Sequence, residues 1–282
     1  MTLREALTRA TSQLDASPEL RPSASRDATL LLLHTLGISR AALLADPGRA
    51  LTPGQHTAYE ALILRRLGNE PVQYITGEQE FYGLTLHVTP AVLIPRPETE
   101  HLVETVLSEL DPVAPLHVLD VGTGSGAIAI ALAHHLPNTQ VTALDLSPEA
   151  IEVAHSNAVL NSLDHRIRFL VSDLLSAVSG EPAFDVVVSN PPYIPTADCS
   201  TLHPQIRDFE PAAALFAGAD GLDIYRRLIP QAHAALKPNG LLALEIGHRQ
   251  REDVLDLLTD WNDVRVVNDL QDIPRVVLAR KP

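Results

Sequence analysis

Residues 118–127, Val-Leu-Asp-Val-Gly-Thr-Gly-Ser-Gly-Ala, constrain the fold more than any other stretch of the chain. A short apolar strand runs into three alternating glycines, and an apolar helical pattern follows. Glycine lets the backbone turn tightly and lets a ligand approach where a Cβ would clash. The N-terminus of the following helix is a site for anions. Asp145 ends the next apolar run, where a carboxylate can accept hydrogen bonds from both hydroxyls of a ribose. Ser172-Asp173 ends the third, where an adenine edge would lie. Gly122, Thr123, Gly124, Ser125, Gly126, Asp145 and Asp173 are therefore the candidate cofactor-binding residues.

This pattern alone leaves two cofactors open. Gly122, Gly124 and Ala127 fit the dinucleotide fingerprint, with Asp145 near the spacing of its acidic residue. Asp120, immediately before the turn, suits a cationic ligand better than a pyrophosphate. Gly126 thins the loop where a methionine moiety would cross it. Both points favour S-adenosylmethionine.

Strand and helix patterns alternate from residue 116 onward. Strands are expected at 116–121, 141–144, 167–171, 184–188 and 241–246. Helices are expected at 127–135, 148–161, 222–236 and 249–258. Residues 264–267 and 276–278 close the chain as two strands with no helix between them, expected as an antiparallel edge. Such alternation gives an α/β fold with a seven-stranded, mostly parallel sheet and helices on both faces, its ligands at the strands' carboxyl ends.

Ahead of this domain (96–282), residues 1–72 read as a small helical bundle that docks a partner. Leu3, Ala6, Leu7, Ala10 and Leu14 share one helical face, and Thr52-Pro53 opens a later helix. Residues 73–95 read as a β-hairpin linker, with Tyr74-Ile75-Thr76 and 81–88 as its aromatic and β-branched arms.

A net charge of −14, with 21 scattered Lys and Arg, argues against a phosphate backbone as partner. The first residues lack the apolar core of a signal peptide, and no apolar run is long enough to span a bilayer. A cytoplasmic protein with neither membrane nor direct nucleic-acid contact is expected. The 12 His and lone Cys199 form no ligand spacing, so no metal is expected.

The fourth strand ends in Ser189-Asn190-Pro191-Pro192-Tyr193. Asn190 offers an amide oxygen, and the proline pair stiffens the loop that presents it and the Pro191 carbonyl. Two acceptors aimed at one point match an NH2 group, which has two hydrogens to give. Tyr193 can lay its ring on a planar conjugated group. Asn190, Pro191, Pro192 and Tyr193 are the candidate catalytic residues. No strong general base is evident, and alignment with electrostatics must supply the catalysis.

The Asn-Pro-Pro-Tyr tetrapeptide resembles that of methyltransferases acting on adenine N6 and on glutamine side chains. The resemblance narrows with Pro71-Val72-Gln73-Tyr74-Ile75-Thr76-Gly77, Phe81-Tyr82-Gly83, Ile94-Pro95-Arg96-Pro97-Glu98-Thr99-Glu100 and Asp220-Gly221-Leu222. Together they are similar to the peptide chain release factor glutamine N5-methyltransferases, the PrmC/HemK family, over the whole chain. The resemblance implies a Rossmann-like class I methyltransferase domain. It also implies methylation, with S-adenosyl-L-methionine, of the glutamine in the Gly-Gly-Gln loop of class 1 release factors. By the same resemblance Asn190 contacts cofactor and substrate, and Pro191, Pro192 and Tyr193 contact the substrate glutamine. Leu174 stands where relatives often carry an aromatic against adenine, which leaves that contact apolar but unstacked.

Competing readings are an adenine N6 methyltransferase, which should carry a basic recognition region, and a glutamine methyltransferase of ribosomal protein uL3. An NADP-linked oxidoreductase leaves the Asn-Pro-Pro-Tyr loop unemployed. A binding protein without catalysis need not keep both motifs.

Overall fold

The computed structural model describes residues 1–178, 180 and 184–282. It divides into two compact units. One comprises Met1–Glu78 with Thr201–Phe209, the other Gln79–Ser200 with Glu210–Pro282.

The helical unit contains α1 (Leu3–Asp15), α2 (Ala24–Leu36), α3 (Arg40–Ala45), α4 (Pro53–Leu67) and α5 (Val72–Thr76). Local chemistry fixes their ends. Thr2 with Glu5 and Thr52 with Gln55 form capping boxes, satisfying amide hydrogens that a helix start leaves unpaired. Leu3, Leu14, Leu20, Leu31, Leu32, Tyr59 and Ile63 build its core, and the Tyr59 hydroxyl donates to the Ala28 carbonyl at 2.9 Å. Inside this unit Asp27 and Arg66 form a buried ion pair, with Nε donating to Oδ2 at 2.8 Å. Arg66 also donates to the Glu70 carbonyl and to Oε1 of Gln205, both at 3.0 Å. His203 joins the same unit. Its Nδ1 accepts from the Gln205 amide, which leaves Nε2 to donate to the Glu19 carbonyl at 3.0 Å. Gln205 lies on α9 (Pro204–Arg207), so a far-downstream piece of chain completes this unit.

The linker differs from expectation at its start. Tyr74-Ile75-Thr76 is helical, in α5, with Pro71 at its N-cap and left-handed Gly77 at its C-cap. The hairpin arms are β1 (Glu78–Phe81) and β2 (Leu84–His87). Tyr82 and Gly83 turn between them, both at positive φ (49° and 76°), as a two-residue hairpin turn of the primed type requires.

The second unit carries α6 (Pro97–Ser108), β3 (His117–Val121), α7 (Ala127–His135), β4 (Gln140–Asp145), α8 (Pro148–Leu160), β5 (Ile167–Val171) and β6 (Phe184–Ser189). Beyond the excursion at 201–209 come α10 (Asp223–Ala235), β7 (Leu236–Glu245), α11 (Arg251–Asp256), β8 (Asn262–Asn268) and β9 (Pro274–Arg280). The seven strands lie in the order β5-β4-β3-β6-β7-β9-β8. All neighbours are parallel except β7 with β9 and β9 with β8. The last two strands are thus antiparallel to each other as expected, but β9 inserts between β7 and β8, so β8 alone forms that edge. One apolar cluster packs on each face of the sheet: α6 and α7 cover one, α10 and α11 the other. The strand order reverses between β3 and β6, and an open α/β sheet binds ligands at the carboxyl side of that point.

Candidate active site

Both motifs sit at this switch point. Asp120 of β3 pairs with Val188 of β6, so the glycine turn and the Asn-Pro-Pro-Tyr loop leave the sheet side by side. Ser189 links them: its hydroxyl donates to the Val121 carbonyl at 2.6 Å.

The glycine loop is built by its own amides. Gly122 and Thr123 both donate to the Leu144 carbonyl at 2.8 Å, and Gly124 donates to Oδ2 of Asp145 at 2.8 Å. A Cβ added at Gly122 or Gly124 would meet nothing within 4 Å, and both have positive φ, so the loop leaves an open cradle there. Gly126 is different. A Cβ there would come within 3.0 Å of Ile130 and 3.2 Å of Ala154. This glycine admits the close approach of α7 and α8 rather than a ligand. Ser125 is buried, and its carbonyl accepts from Asn157 at 2.9 Å, while Asn157 also exchanges two hydrogen bonds with the His87 backbone.

Asp120 does not face the cradle. It is wholly buried; Oδ2 accepts from the Thr123 hydroxyl at 2.6 Å and the Ala129 amide at 3.2 Å, while Oδ1 has no partner. Burial pushes its carboxyl up to about 7, against the lowering effect of those two donors. Asp145 is raised by burial too, and the amides of Ser147, Gly124 and Leu146 oppose that shift. Asp173 is exposed and paired with Arg227 at 2.6 Å. Leu174 is half-buried at positive φ (49°), its carbonyl accepting from the Ser172 hydroxyl.

Asn190 donates from Nδ2 to Oγ1 of Thr99 at 3.0 Å. Among the described residues nothing donates to its Oδ1 or to the Pro191 carbonyl. Tyr193 is clamped from behind. Its carbonyl accepts from Gln250 Nε2 at 2.9 Å, and a Cβ at Gly247 would lie 2.8 Å from its ring. A Cβ at Gly221 would lie 2.3 Å from the same carbonyl, which explains a glycine in Asp220-Gly221-Leu222. Burial pushes the Tyr193 hydroxyl up to about 12. The chain then bridges from Ile194 to Phe216, which fixes the loop's far end.

The segment 94–100 supports this loop residue by residue. Glu210 is buried and accepts from the Ile94 amide at 3.1 Å and from the Arg96 guanidinium. Glu100 Oε1 accepts from the Tyr82 amide at 2.9 Å, tying the hairpin turn to α6. Thr99 holds Asn190. Asp208, by contrast, is exposed and paired with its neighbour Arg207. The roles of Thr99, Asn157, Gln250 and Gly247 were not legible in the sequence, although Gly247 stands just beyond the end of β7 (Leu236–Glu245).

The chain matches known families along both units. Residues 5–77 match the PrmC N-terminal domain, and residues 98–205 the methyltransferase small domain. It is 47% identical over 282 residues to the release factor glutamine methyltransferase of Koribacter versatilis, covering 100% of this chain and 99% of that one. It is 42% identical to the enzyme of the same description from Escherichia coli, covering 99% of this chain and 97% of that one. Among solved structures, the Thermus thermophilus 16S rRNA N2 G1207 methyltransferase, in complex with AdoMet and guanosine, superposes with a TM-score of 0.56 at 22% identity. That match covers 73% of this chain and 50% of that one, and speaks to the fold. By family match, full-length identity and fold, the chain belongs to the release factor glutamine methyltransferases.

Proposed function

We propose that this protein transfers a methyl group from S-adenosyl-L-methionine to the side-chain N5 of the glutamine in the Gly-Gly-Gln motif of class 1 peptide chain release factors. The observation that carries this reading is the state of Asn190. Thr99 takes its amide hydrogen, which leaves Oδ1 and the neighbouring Pro191 carbonyl as two acceptors at the sheet's switch point. A primary amide has two hydrogens to give. Accepting both raises electron density on a nitrogen whose lone pair is otherwise delocalised into its carbonyl. It also fixes the direction in which that lone pair points. Pro192 stiffens the loop, and Tyr193, fixed by Gln250 and Gly247, supplies a flat face for the planar amide.

The residues present fit the cofactor. Gly122 and Gly124 leave a cradle that a Cβ would fill, Asp145 stands beside it, and Oδ1 of the buried Asp120 at the strand end is left without a partner. Thr123, Ser125 and Gly126 hold the loop's shape, and Leu174 offers apolar surface at the end of β5. Bound there, the cofactor supplies a methyl group activated by a sulfonium charge. Transfer to the amide nitrogen would leave the donor as a neutral thioether, and that nitrogen would give one proton to water. The enzyme's part is alignment and charge, with no strong base required.

The helical domain (1–72) docks the release factor in this reading, residues 73–95 link it, and residues 96–282 carry the chemistry, in the cytoplasm. Among the described residues no helix is long and apolar enough to cross a membrane. The net charge of −14 disfavours adenine in a nucleic acid as the methyl acceptor. Incubation with labelled S-adenosylmethionine and release factor, followed by mass spectrometry, tests it. Label on the Gly-Gly-Gln glutamine is expected; label elsewhere, or none, overturns it.

A further inference from the structure

The side-chain amide of Gln250 is buried and fully assigned by the backbone groups around it. Oε1 accepts from the Gly247 amide at 3.0 Å, while Nε2 donates to the Tyr193 carbonyl at 2.9 Å and the Gly221 carbonyl at 3.3 Å. A backbone amide only donates and a carbonyl only accepts, so the side chain has one orientation. Its main chain is fixed as well. The Gln250 amide donates to the Gly247 carbonyl at 3.2 Å, and its carbonyl accepts from Val254 at 3.0 Å in the first turn of α11.

These bonds join three pieces of chain: the loop after β6, the turn before α10 and the turn after β7. In two of them the clamp leaves no room for a side chain. A Cβ at Gly247 would lie 2.5 Å from Gln250 Oε1, and one at Gly221 would lie 2.7 Å from its Nε2. The turn at Gly221 is itself anchored, since the Leu222 amide donates to Oδ1 of Asp220 at 3.1 Å. In the loop after β6, Asn190 is held at Thr99 and Ile194 at Phe216. Between them Pro191 and Pro192 have no amide hydrogen to give, and Gln250 grips the Tyr193 carbonyl.

We propose that Gln250 is a positioning residue for methyl transfer, acting through Tyr193. This rests on the methyl transfer proposed above. Holding the Tyr193 carbonyl sets the direction in which the chain leaves the prolines. It thereby sets the attitude of the Tyr193 ring that faces the substrate amide. Gln250 itself is not placed against the reacting atoms. The glycine cradle is held by other groups, the Leu144 carbonyl and Asp145, so cofactor binding does not depend on the clamp. Loss of the clamp slows the reaction of a bound substrate and leaves the cofactor in place.

The test compares wild type, Q250M, Q250E, Y193A and the Y193A/Q250M double variant in release-factor methylation, with kcat separated from KM. Calorimetric stoichiometry for S-adenosylmethionine counts the folded sites in each preparation. Q250M keeps the length and loses the side-chain hydrogen bonds. Q250E keeps an acceptor for Gly247 but, ionised, has no hydrogen for the Tyr193 carbonyl. Both are expected to lower kcat per folded site roughly tenfold to a hundredfold, the range for misplacing a reacting group by about 1 Å. Cofactor affinity and both KM values should hardly move. In the Y193A background Q250M should cost little more, because a residue acting through Tyr193 has no ring left to place. Q250M or Q250E at the wild-type rate, single losses that multiply in the double variant, or cofactor affinity lost as steeply as kcat would each overturn the proposal. Should Q250M fail to fold, Q250E takes its place in both comparisons. A wild type that leaves release factor unmethylated removes the substrate reading and this inference with it. An active wild type matched by Q250M removes only the inference.

Discussion

Gly124 donates its backbone amide to Oδ2 of Asp145 at 2.8 Å, so the glycine turn after β3 and the end of β4 are one piece of structure. Oδ1 of the same carboxylate accepts from the Ser147 amide at 2.9 Å, at the start of α8. Asp145 therefore shapes the cradle as well as lining it.

Replacing Asp145 with Ala is expected to weaken S-adenosylmethionine binding by roughly one to two orders of magnitude, since hydrogen bonds to a charged group contribute about 1.5–3 kcal/mol. Asp145→Asn, which can still accept from Gly124, should lose less. Calorimetry on the purified variants checks this. Unchanged affinity in the Ala variant would place the ribose elsewhere.

Asn190→Ala should fold and keep cofactor affinity within a modest loss, yet lose roughly two to three orders of magnitude in single-turnover rate, as for removal of one preorganised active-site group. Asn190→Asp sharpens the point. It loses the amide hydrogen that Asn190 gives Thr99 and adds a negative charge at the site proposed for the sulfonium. We expect it to bind cofactor at least as well as wild type while reacting more slowly. Tyr193→Phe should be mild, because the ring rather than the hydroxyl is assigned the contact. Wild-type turnover in Asn190→Ala would end the two-acceptor account.

The glycine turn, the strand alternation and the Asn-Pro-Pro-Tyr loop were legible because each is a local pattern in consecutive residues. What escaped the sequence depends on distant partners or on close competition between local signals. Tyr74-Ile75-Thr76 carries β-formers, but Pro71 and Gly77 cap a single helical turn around it, and capping outweighs propensity in so short a run. Asp120 ends a strand where a side chain on either face looks the same on paper; only the fold turns it inward onto Thr123. Asp173 was read as a ligand contact, and its salt bridge comes from Arg227 on α10. Thr99 meets Asn190 across 91 residues, a pairing no spacing rule anticipates.

Arg66→Ala is expected to destabilise the helical unit by about 1.5–3 kcal/mol, because it takes the buried guanidinium from Asp27 and leaves that carboxylate the Ser23 hydroxyl at 2.6 Å and the exposed Arg26 at 3.5 Å. Residues 201–209 lose the Gln205 anchor in the same variant. Limited proteolysis should then cut within 201–209 faster than in wild type. Cofactor affinity should hold while release-factor turnover falls. Wild-type protease resistance would mean that Arg66 does not secure the segment.

The raised carboxyl of Asp120 makes the unliganded protein more stable at low pH. The folded state holds the Asp120 proton up to about 7, whereas the unfolded chain releases it near 4, so between these values folding takes up a proton. Stability from this group is complete below about pH 4 and is lost as pH rises through about 7, an effect of a few kcal/mol at most. Asp120→Asn should flatten that part of the profile. Thermal midpoints from about pH 5 to 8 check the sign; a wild-type minus variant difference that does not vary with pH would refute it.

The placement of Thr201–Phe209 in the helical unit bears on how the protein is made. A ribosome delivers residues 1–78 first, and their apolar core, from Leu3 to Ile75, can gather at once. Yet the Glu19 carbonyl and one arm of Arg66 must wait for His203 and Gln205, more than a hundred residues later. Domains generally fold in order of emergence at about 5–20 residues per second, so the nascent helical unit spends several seconds unfinished. Its last contacts are made only after the strand bearing the Asn190 loop has been synthesised. The maturation of one unit is thereby timed by the synthesis of the other.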